Sequence, residues 1–365
     1  MIAFIVGTTA ELIKIAPVHH ELTARGRRCE IWYTGQHVDE LAETLADLRL
    51  PAPEIWLVPR EHASNLVRPA DVPAWVFALA RTVLRRRRAL QGRLLADGTP
   101  PVVLVHGDTF TAPIGALVGR LLGARVGHVE AGMRSGSLMH PFPEELNRRV
   151  AGRLVDIHFP PTVREARNLR RHRGAVVVTG ANTVLDAMRE AIEHPVPSDL
   201  RLPERYGIAT LHRFELVRSR ELLSAVLEAL RSYSRTVPVV MFVGASERDR
   251  LREYGLMDLF DEERFLLREK LSYVAFQPVL AGATFVVTDS GGLQEESAHL
   301  GIPCAVHRVH TERPDGEGRS MVLTRFSIDK LEDFLRDHER YRQRSTLDAH
   351  RPSAVVADAL EALGA

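Results

Sequence analysis

The stretch Thr288–Gly301, TDSGGLQEESAHLG, follows the apolar run Ala283–Val287, ATFVV. The change from β-branched residues to a Gly-Gly turn and then to a helical pattern marks a strand that runs straight into a helix. A helix start offers unpaired N–H groups and the positive end of a dipole, and glycines let a ligand come close to the backbone. Two readings stand at this point. The turn is an anion cradle of the kind that holds phosphates, or it is a capped helix whose early carboxylates balance the dipole.

The pattern repeats outward from there. Short apolar runs include IAFIV (2–6), CEIWYT (29–34), PVVLVH (101–106), ARVGHV (124–129), AVVVTG (175–180), GIATLH (207–212), VPVVMFVG (237–244) and PCAVHR (303–308). Amphipathic stretches such as ELIKIAPVHHELTARG (11–26) and LLSAVLEALRSYSRT (222–236) alternate with them. Nearly continuous apolar runs suit strands buried on both faces, and the alternation predicts right-handed βαβ units. The series runs twice. We expect an α/β protein of two Rossmann-like, doubly wound parallel-sheet domains with a central cleft. The first covers residues 1–172 and the second 173–349, and a final helix at 350–365 can pack on either domain, crossing back onto the first in one of the two arrangements.

Composition narrows the function. A chain of 365 residues, 45% hydrophobic, has ample core for two domains. The formal net charge of +1 provides no broad basic field, so nucleic acid is not an expected partner. The arginine runs RTVLRRRRALQGRLL (81–95) and REARNLRRHRG (164–174) read as solvated helix faces. No apolar run reaches membrane-spanning length, and the start MIAFIVGTT is too short and uncharged for a secretion signal, so the expectation is cytoplasmic, without a membrane partner. Cys29 and Cys304 stand far apart, no Gly-Lys phosphate loop occurs, and the one Gly-x-Gly (DGEGRS, 315–320) lies outside a strand–turn–helix. No metal and no bound cofactor is expected.

In open α/β sheets the ligand binds beyond the carboxyl ends of the strands. Those ends carry the unusual chemistry: Asp108 after VVLVHG, Glu130 and Arg134 in HVEAGMRSG, Glu144 and Arg148 in HPFPEELNRR, His212 and Arg213 after IATL. Each has a plain structural role open to it: Asp108 as a helix cap, Glu144 as an early-helix carboxylate, His212 as a hydrogen-bonded core histidine. Several carboxylates at equivalent strand ends favour a site, because neighbouring carboxylates shift one another's proton affinity in the way acid–base chemistry needs.

Taken together, GTTAELIKIAPV (7–18), TGQH (34–37), VHGDT (105–109), GHVEAGMRSG (127–136), PFPEELNRR (141–149), VTGANTVLDA (178–187), TLHR (210–213), VTDSGGLQEESAHLGIP (287–303) and TERPDG (311–316) resemble the non-hydrolysing UDP-N-acetylglucosamine 2-epimerases, over almost the whole chain. That family has the glycosyltransferase-B-like fold. The resemblance implies an isomerase that interconverts UDP-N-acetylglucosamine and UDP-N-acetylmannosamine at sugar carbon 2, through elimination of UDP and its re-addition. It implies acid–base carboxylates at Asp108, Glu130 and Glu144 and an essential histidine at His212. It places the diphosphate at Ser290, Gly291 and Gly292, the ribose hydroxyls at Glu296 and the uracil at the backbone near Phe276. Lys14, Arg134, Arg148, Arg213 and Arg313 match substrate-contacting positions, and a homodimer is implied. A glycosyltransferase of the same fold and a hydrolysing epimerase are the competing readings. Three departures stand out. Thr9 replaces an arginine near the diphosphate; Phe214 and Leu216 replace polar residues after His212-Arg213; and Val38 replaces an arginine. The last two departures fall where bacterial relatives hold a second, activating substrate molecule, so the resemblance implies that this activation is weak here.

Overall fold

The computed structural model describes residues 1–63, 65–66, 69–135, 142–311 and 315–364. Two compact units emerge, Met1–Ala187 with His350–Ala365, and Met188–Ala349.

The first unit carries strands β1 (Ile2–Val6), β2 (Cys29–Tyr33), β3 (Ile55–Trp56), β4 (Val102–His106), β5 (Arg125–Val129), β6 (Ile157–Phe159) and β7 (Ala175–Val176). They form one sheet in the order β3-β2-β1-β4-β5-β6-β7. The second carries β8 (Gly207–Thr210), β9 (Val239–Val243), β10 (Phe265–Glu269), β11 (Phe285–Thr288), β12 (Cys304–Val306) and β13 (Met321–Leu323), in the order β10-β9-β8-β11-β12-β13. All strand pairs are parallel. Each unit thus has a doubly wound order, reversing direction between β1 and β4 in one and between β8 and β11 in the other. That reversal opens a crevice at the strands' carboxyl ends.

The strands are apolar on both faces because helices cover both. In the second unit, Leu223, Val226, Leu227 and Leu230 of helix Arg220–Tyr233 pack with Met241 and Phe285 on one side. Val279 and Leu280 of helix Tyr273–Ala281 pack with Val240, Leu266 and Val286 on the other. Gly207 opens β8 opposite Phe285, and a Cβ there would come within 2.1 Å of the Phe285 ring. The glycine is therefore what admits that ring to the core.

The first unit runs beyond residue 172 because β7 pairs with β6. The final helix, Pro352–Ala362, belongs to it as well: the Ser353 N–H donates to Asp186 at 2.7 Å, and Arg25 pairs with Asp358 and Glu361. Among the described residues no helix is long and apolar enough to cross a membrane.

Candidate active site

In the first unit the chemistry gathers where β1, β4 and β5 end. Glu130 follows β5 directly, 9% exposed, with φ +61. A left-handed backbone is costly for a residue with a side chain and persists only where its surroundings hold it. Here Lys14 Nζ donates to Glu130 Oε2 at 2.5 Å and Asn182 Nδ2 donates to the same oxygen at 2.7 Å. His106 Nε2, at the end of β4, lies 3.3 Å away. A cation and an amide donor on one carboxylate favour its ionised form. Burial pushes the proton affinity of His106 down, opposed by Glu130, so His106 is a neutral neighbour.

Asp108 leaves β4 through Gly107 (φ +63). Arg148 donates to its Oδ2 from Nε (2.9 Å) and Nη2 (2.5 Å), and Asn147 Nδ2 donates to its main-chain oxygen at 2.9 Å. Both come from helix Glu144–Leu154, so that helix fixes Asp108 in place. The two glutamates that open this helix part ways. Glu145 is fully buried: it accepts from Arg149 Nε (2.8 Å) and from the Ser135 N–H (3.1 Å), with Arg148 and Arg134 at 3.5 and 3.8 Å. It is a structural hub for three arginines, and Arg134 is turned toward it. Glu144 keeps a buried Oε2 with no hydrogen-bond partner among the described residues.

Glu11 ties the exit of β1 to that of β4. Its Oε2 accepts from the N–H groups of Gly7 (2.8 Å) and Thr8 (2.9 Å) and from Thr8 Oγ1, and its Oε1 accepts from Thr109 Oγ1 (2.8 Å). Burial outweighs these donors and pushes the Glu11 carboxyl up to about 7. Gly7 has no room for a side chain, since a Cβ would meet Thr34 Oγ1 at 2.1 Å and Thr111 Oγ1 at 2.4 Å.

In the second unit β11 passes into helix Gly291–Leu300, capped by Ser290, whose Oγ accepts from the Leu293 N–H. Gly291 and Gly292 form the first turn, where backbone N–H groups have no intrahelical acceptor. Asp289, fully buried, accepts from the N–H groups of His212 (2.9 Å) and Arg213 (2.7 Å) and stands 3.4 Å from His212 Nδ1. The opening motif is thus a helix cap, with Gly291 and Gly292 beside it at the helix start. Farther along the helix, Glu296 accepts from Gln277 Nε2 at 2.9 Å. Around it lie two buried polar atoms without partners among the described residues, Gln277 Oε1 and the Tyr273 hydroxyl. Burial and the charges of Glu296 and Glu295 hold that phenol protonated. Phe276 packs edge-on against Phe242, and its N–H is spent on Ser272 within its helix. Arg313, with Glu312, lies outside the described residues. The flanks of that segment are anchored, because Thr311 Oγ1 donates to Gln294 Oε1 and Gln294 Nε2 donates to the Asp315 carbonyl.

Sequence spacing offered no metal pattern, yet the fold brings Glu295, His299 and Asp315 together, their ligand atoms within 4.8 Å of one another. Glu295 and His299 are one helical turn apart, and Asp315 arrives from a distant loop. Such a group is invisible to spacing rules.

Four further residues bear on the site. Asn182 and His106 complete the surroundings of Glu130, Gln277 holds Glu296, and Asp289 holds His212. His106 and Asp289 carried a signal, as polar residues at strand ends. Asn182 and Gln277 reach their partners only through the fold.

The chain matches the model of the UDP-N-acetylglucosamine 2-epimerase family over residues 20–345. It is 31% identical to the UDP-N-acetylglucosamine 2-epimerase of Bacillus subtilis over 353 residues, 93% of this chain and 88% of that protein. The solved structure of the Methanocaldococcus jannaschii UDP-GlcNAc 2-epimerase in complex with UDP-GlcNAc and UDP is 26% identical, covers 99% of both chains and superposes with a TM-score of 0.74. A glycosyltransferase of kitacinnamycin, 15% identical with a TM-score of 0.58 and covering 100% of this chain and 99% of its own, shares the fold alone. The chain belongs to the UDP-N-acetylglucosamine 2-epimerase family, and its fold is glycosyltransferase-B-like.

Proposed function

We propose that this member of the family is a non-hydrolysing epimerase, interconverting UDP-N-acetylglucosamine and UDP-N-acetylmannosamine by elimination and re-addition of UDP. The proton on sugar carbon 2 has no adjacent carbonyl and is too weakly acidic for direct removal by a carboxylate. If the bond from carbon 1 to the UDP oxygen breaks first, its electron pair leaves with UDP. Carbon 1 becomes oxocarbenium-like, and the carbon 2 proton becomes acidic. A carboxylate takes it, a carbon 1–carbon 2 double bond forms, and the pair is 2-acetamidoglucal plus UDP. Protonation of carbon 2 from the other face and return of UDP to carbon 1 give the epimer.

The second unit suits the leaving group. The first turn at Gly291 and Gly292, with Ser290, His212 and Arg213, offers donors and positive charge to a diphosphate. Glu296 offers acceptors to two ribose hydroxyls. The first unit suits the sugar chemistry. Glu130 is poised as a carboxylate, fit to accept the proton or to steady the oxocarbenium charge, and Asp108 adds a second negative charge held by Arg148. Glu144, with an unpartnered oxygen, is the carboxyl left to return a proton. Lys14 holds Glu130 in place.

The observation that carries this reading is the convergence on Glu130 Oε2 of Lys14 and Asn182, with His106 beside it. Proton NMR of the purified chain with UDP-N-acetylglucosamine in D2O tests it. The expected result is a mixture of the two UDP-sugars, each deuterated at carbon 2. Free N-acetylmannosamine as the main product assigns the hydrolysing reaction instead, and epimerisation without deuterium rules out the proton-transfer scheme.

A further inference from the structure

We propose that Asp289 is a positioning residue that sets the orientation, tautomer and charge of His212, making the two an acid–imidazole pair. The inference deepens the functional reading above and rests on it for the identity of the anion that His212 meets.

The geometry begins with the sheet. β8 and β11 are neighbours, with Thr210 opposite Thr288, so both strands deliver their next residues to one place. Thr210 Oγ1 and Thr288 Oγ1 bond at 2.7 Å, and the Asp289 N–H donates to the Thr210 carbonyl at 3.3 Å. The Asp289 carboxylate then folds back over the exit of β8. Its Oδ2 accepts the N–H of His212 at 2.9 Å and of Arg213 at 2.7 Å, and its Oδ1 stands 3.4 Å from His212 Nδ1. The backbone of the His212 loop is therefore pinned by the same carboxylate that faces the ring.

Asp289 is wholly buried while the His212 side chain is half exposed. Removing a carboxylate from water is costly unless charge and donors compensate it. Burial pushes the Asp289 carboxyl up, and His212, Arg213 and the two N–H groups oppose that.

The chemical consequence follows from which nitrogen faces the acid. With Nδ1 beside Asp289, the neutral ring carries its proton on Nδ1, and Nε2 is the nitrogen left for a ligand. On protonation the carboxylate stabilises the imidazolium, as the buried acid of a catalytic triad does. Nε2–H then becomes a charged donor suited to a phosphate oxygen that gains charge as its bond to the sugar breaks.

The test is nitrogen-15 NMR of the histidines in the whole chain and in Asp289→Asn, with His212→Gln to assign the resonance. In the wild type, the neutral His212 ring should carry its proton on Nδ1. In Asp289→Asn UDP should bind roughly tenfold more weakly. In a His212→Gln background, Asp289→Asn should change UDP affinity less than twofold. A neutral ring protonated on Nε2 in the wild type overturns the pairing. An equal loss of UDP affinity in both backgrounds would reduce Asp289 to a backbone cap. The wild-type tautomer decides the matter even if the variant fails to fold. Should UDP not bind the wild type at all, the functional reading fails, while the NMR still judges the pair.

Discussion

Replacing Glu11 by Gln should make the first unit respond to pH with the opposite tendency to most carboxylate deletions. Glu11 is buried at the start of helix Thr9–Ala24 and its carboxyl is raised from 4.5 to about 7. A raised carboxyl means that, between those two values, the folded chain holds a proton that the unfolded chain has released. The stabilising contribution is therefore complete below pH 4.5 and is lost as pH rises through 7. At 1.36 kcal/mol per pH unit the loss amounts to about 3 kcal/mol at pH 8. Glutamine does not titrate. Its oxygen can still accept from the Gly7 and Thr8 N–H groups, and its amide can face Thr109 Oγ1, a hydroxyl able to accept as well as donate. The variant should lose little at pH 5 and gain on the wild type with each step upward.

At roughly 2–4 °C per kcal/mol for a unit of this size, the melting temperature of Glu11→Gln relative to wild type should rise by about 6–12 °C between pH 4.5 and 8. Thermal melts of both chains across that range are the assay. Only the difference matters, since other titrating groups respond alike in both chains and cancel. A flat difference would refute the reasoning. A difference that falls with pH would mean that the donors from Gly7, Thr8 and Thr109 outweigh burial.

Other outcomes follow from the same geometry. Asp108→Asn, Glu130→Gln and Glu144→Gln should each lower turnover by roughly a hundredfold or more while UDP affinity, measured by calorimetry, stays near wild type; near-normal turnover in all three would remove the acid–base assignment. Acid should destabilise both units. Burial lowers His19, His128 and His307 from 6.5 to about 4, so between those values the unfolded chain binds more protons. Stability, followed by urea denaturation, should then fall as pH drops from 6.5 to 4, by about 3 kcal/mol per histidine. A reaction started from pure UDP-N-acetylmannosamine should begin without a lag. Gln36 is buried and its Oε1 accepts from Thr111 Oγ1, while Phe214 is exposed with Arg218 stacked over its ring at 3.9 Å. A lag abolished by a trace of UDP-N-acetylglucosamine would show that an activating second site survives.

The long central strands were legible because burial on both faces leaves an unbroken apolar run. β3, β6 and β13 were not, being two or three residues long, and β10 ends in Arg268 and Glu269 at a sheet edge where charge is tolerated. AVVVTG reads as a full strand yet pairs only over Ala175–Val176, at the edge of its sheet. Within the site, position along a strand end was readable and environment was not. Nothing in the pair Glu144-Glu145 says which will gather three arginines and which will keep an unpartnered oxygen; that depends on which side of helix Glu144–Leu154 meets the core. Asp289 was visible as a polar residue at a strand end, but its partners were not, since it reaches the His212 and Arg213 N–H groups only because β8 and β11 are neighbours.

The two units solve the same topological problem with opposite treatment of one feature. Each places helix starts at the carboxyl ends of its central strands, and each such start exposes backbone N–H groups to whatever anion is near. In the first unit the acceptor is built in: the buried Glu11 carboxyl turns back to accept from the N–H groups of Gly7 and Thr8. In the second unit the cap is a small neutral serine followed by two glycines, and the nearest carboxylate, Asp289, is turned away to hold His212 and Arg213. With Asp289 occupied at His212 and Arg213 and glycines at its first two positions, that helix start is the one proposed to receive the anion. On the proposed reading, the carboxylates of the first unit, their positions fixed by Lys14, Asn182 and Arg148, would work on the sugar while the helix start of the second would take the diphosphate, one sheet order serving both because each half spends its acids differently.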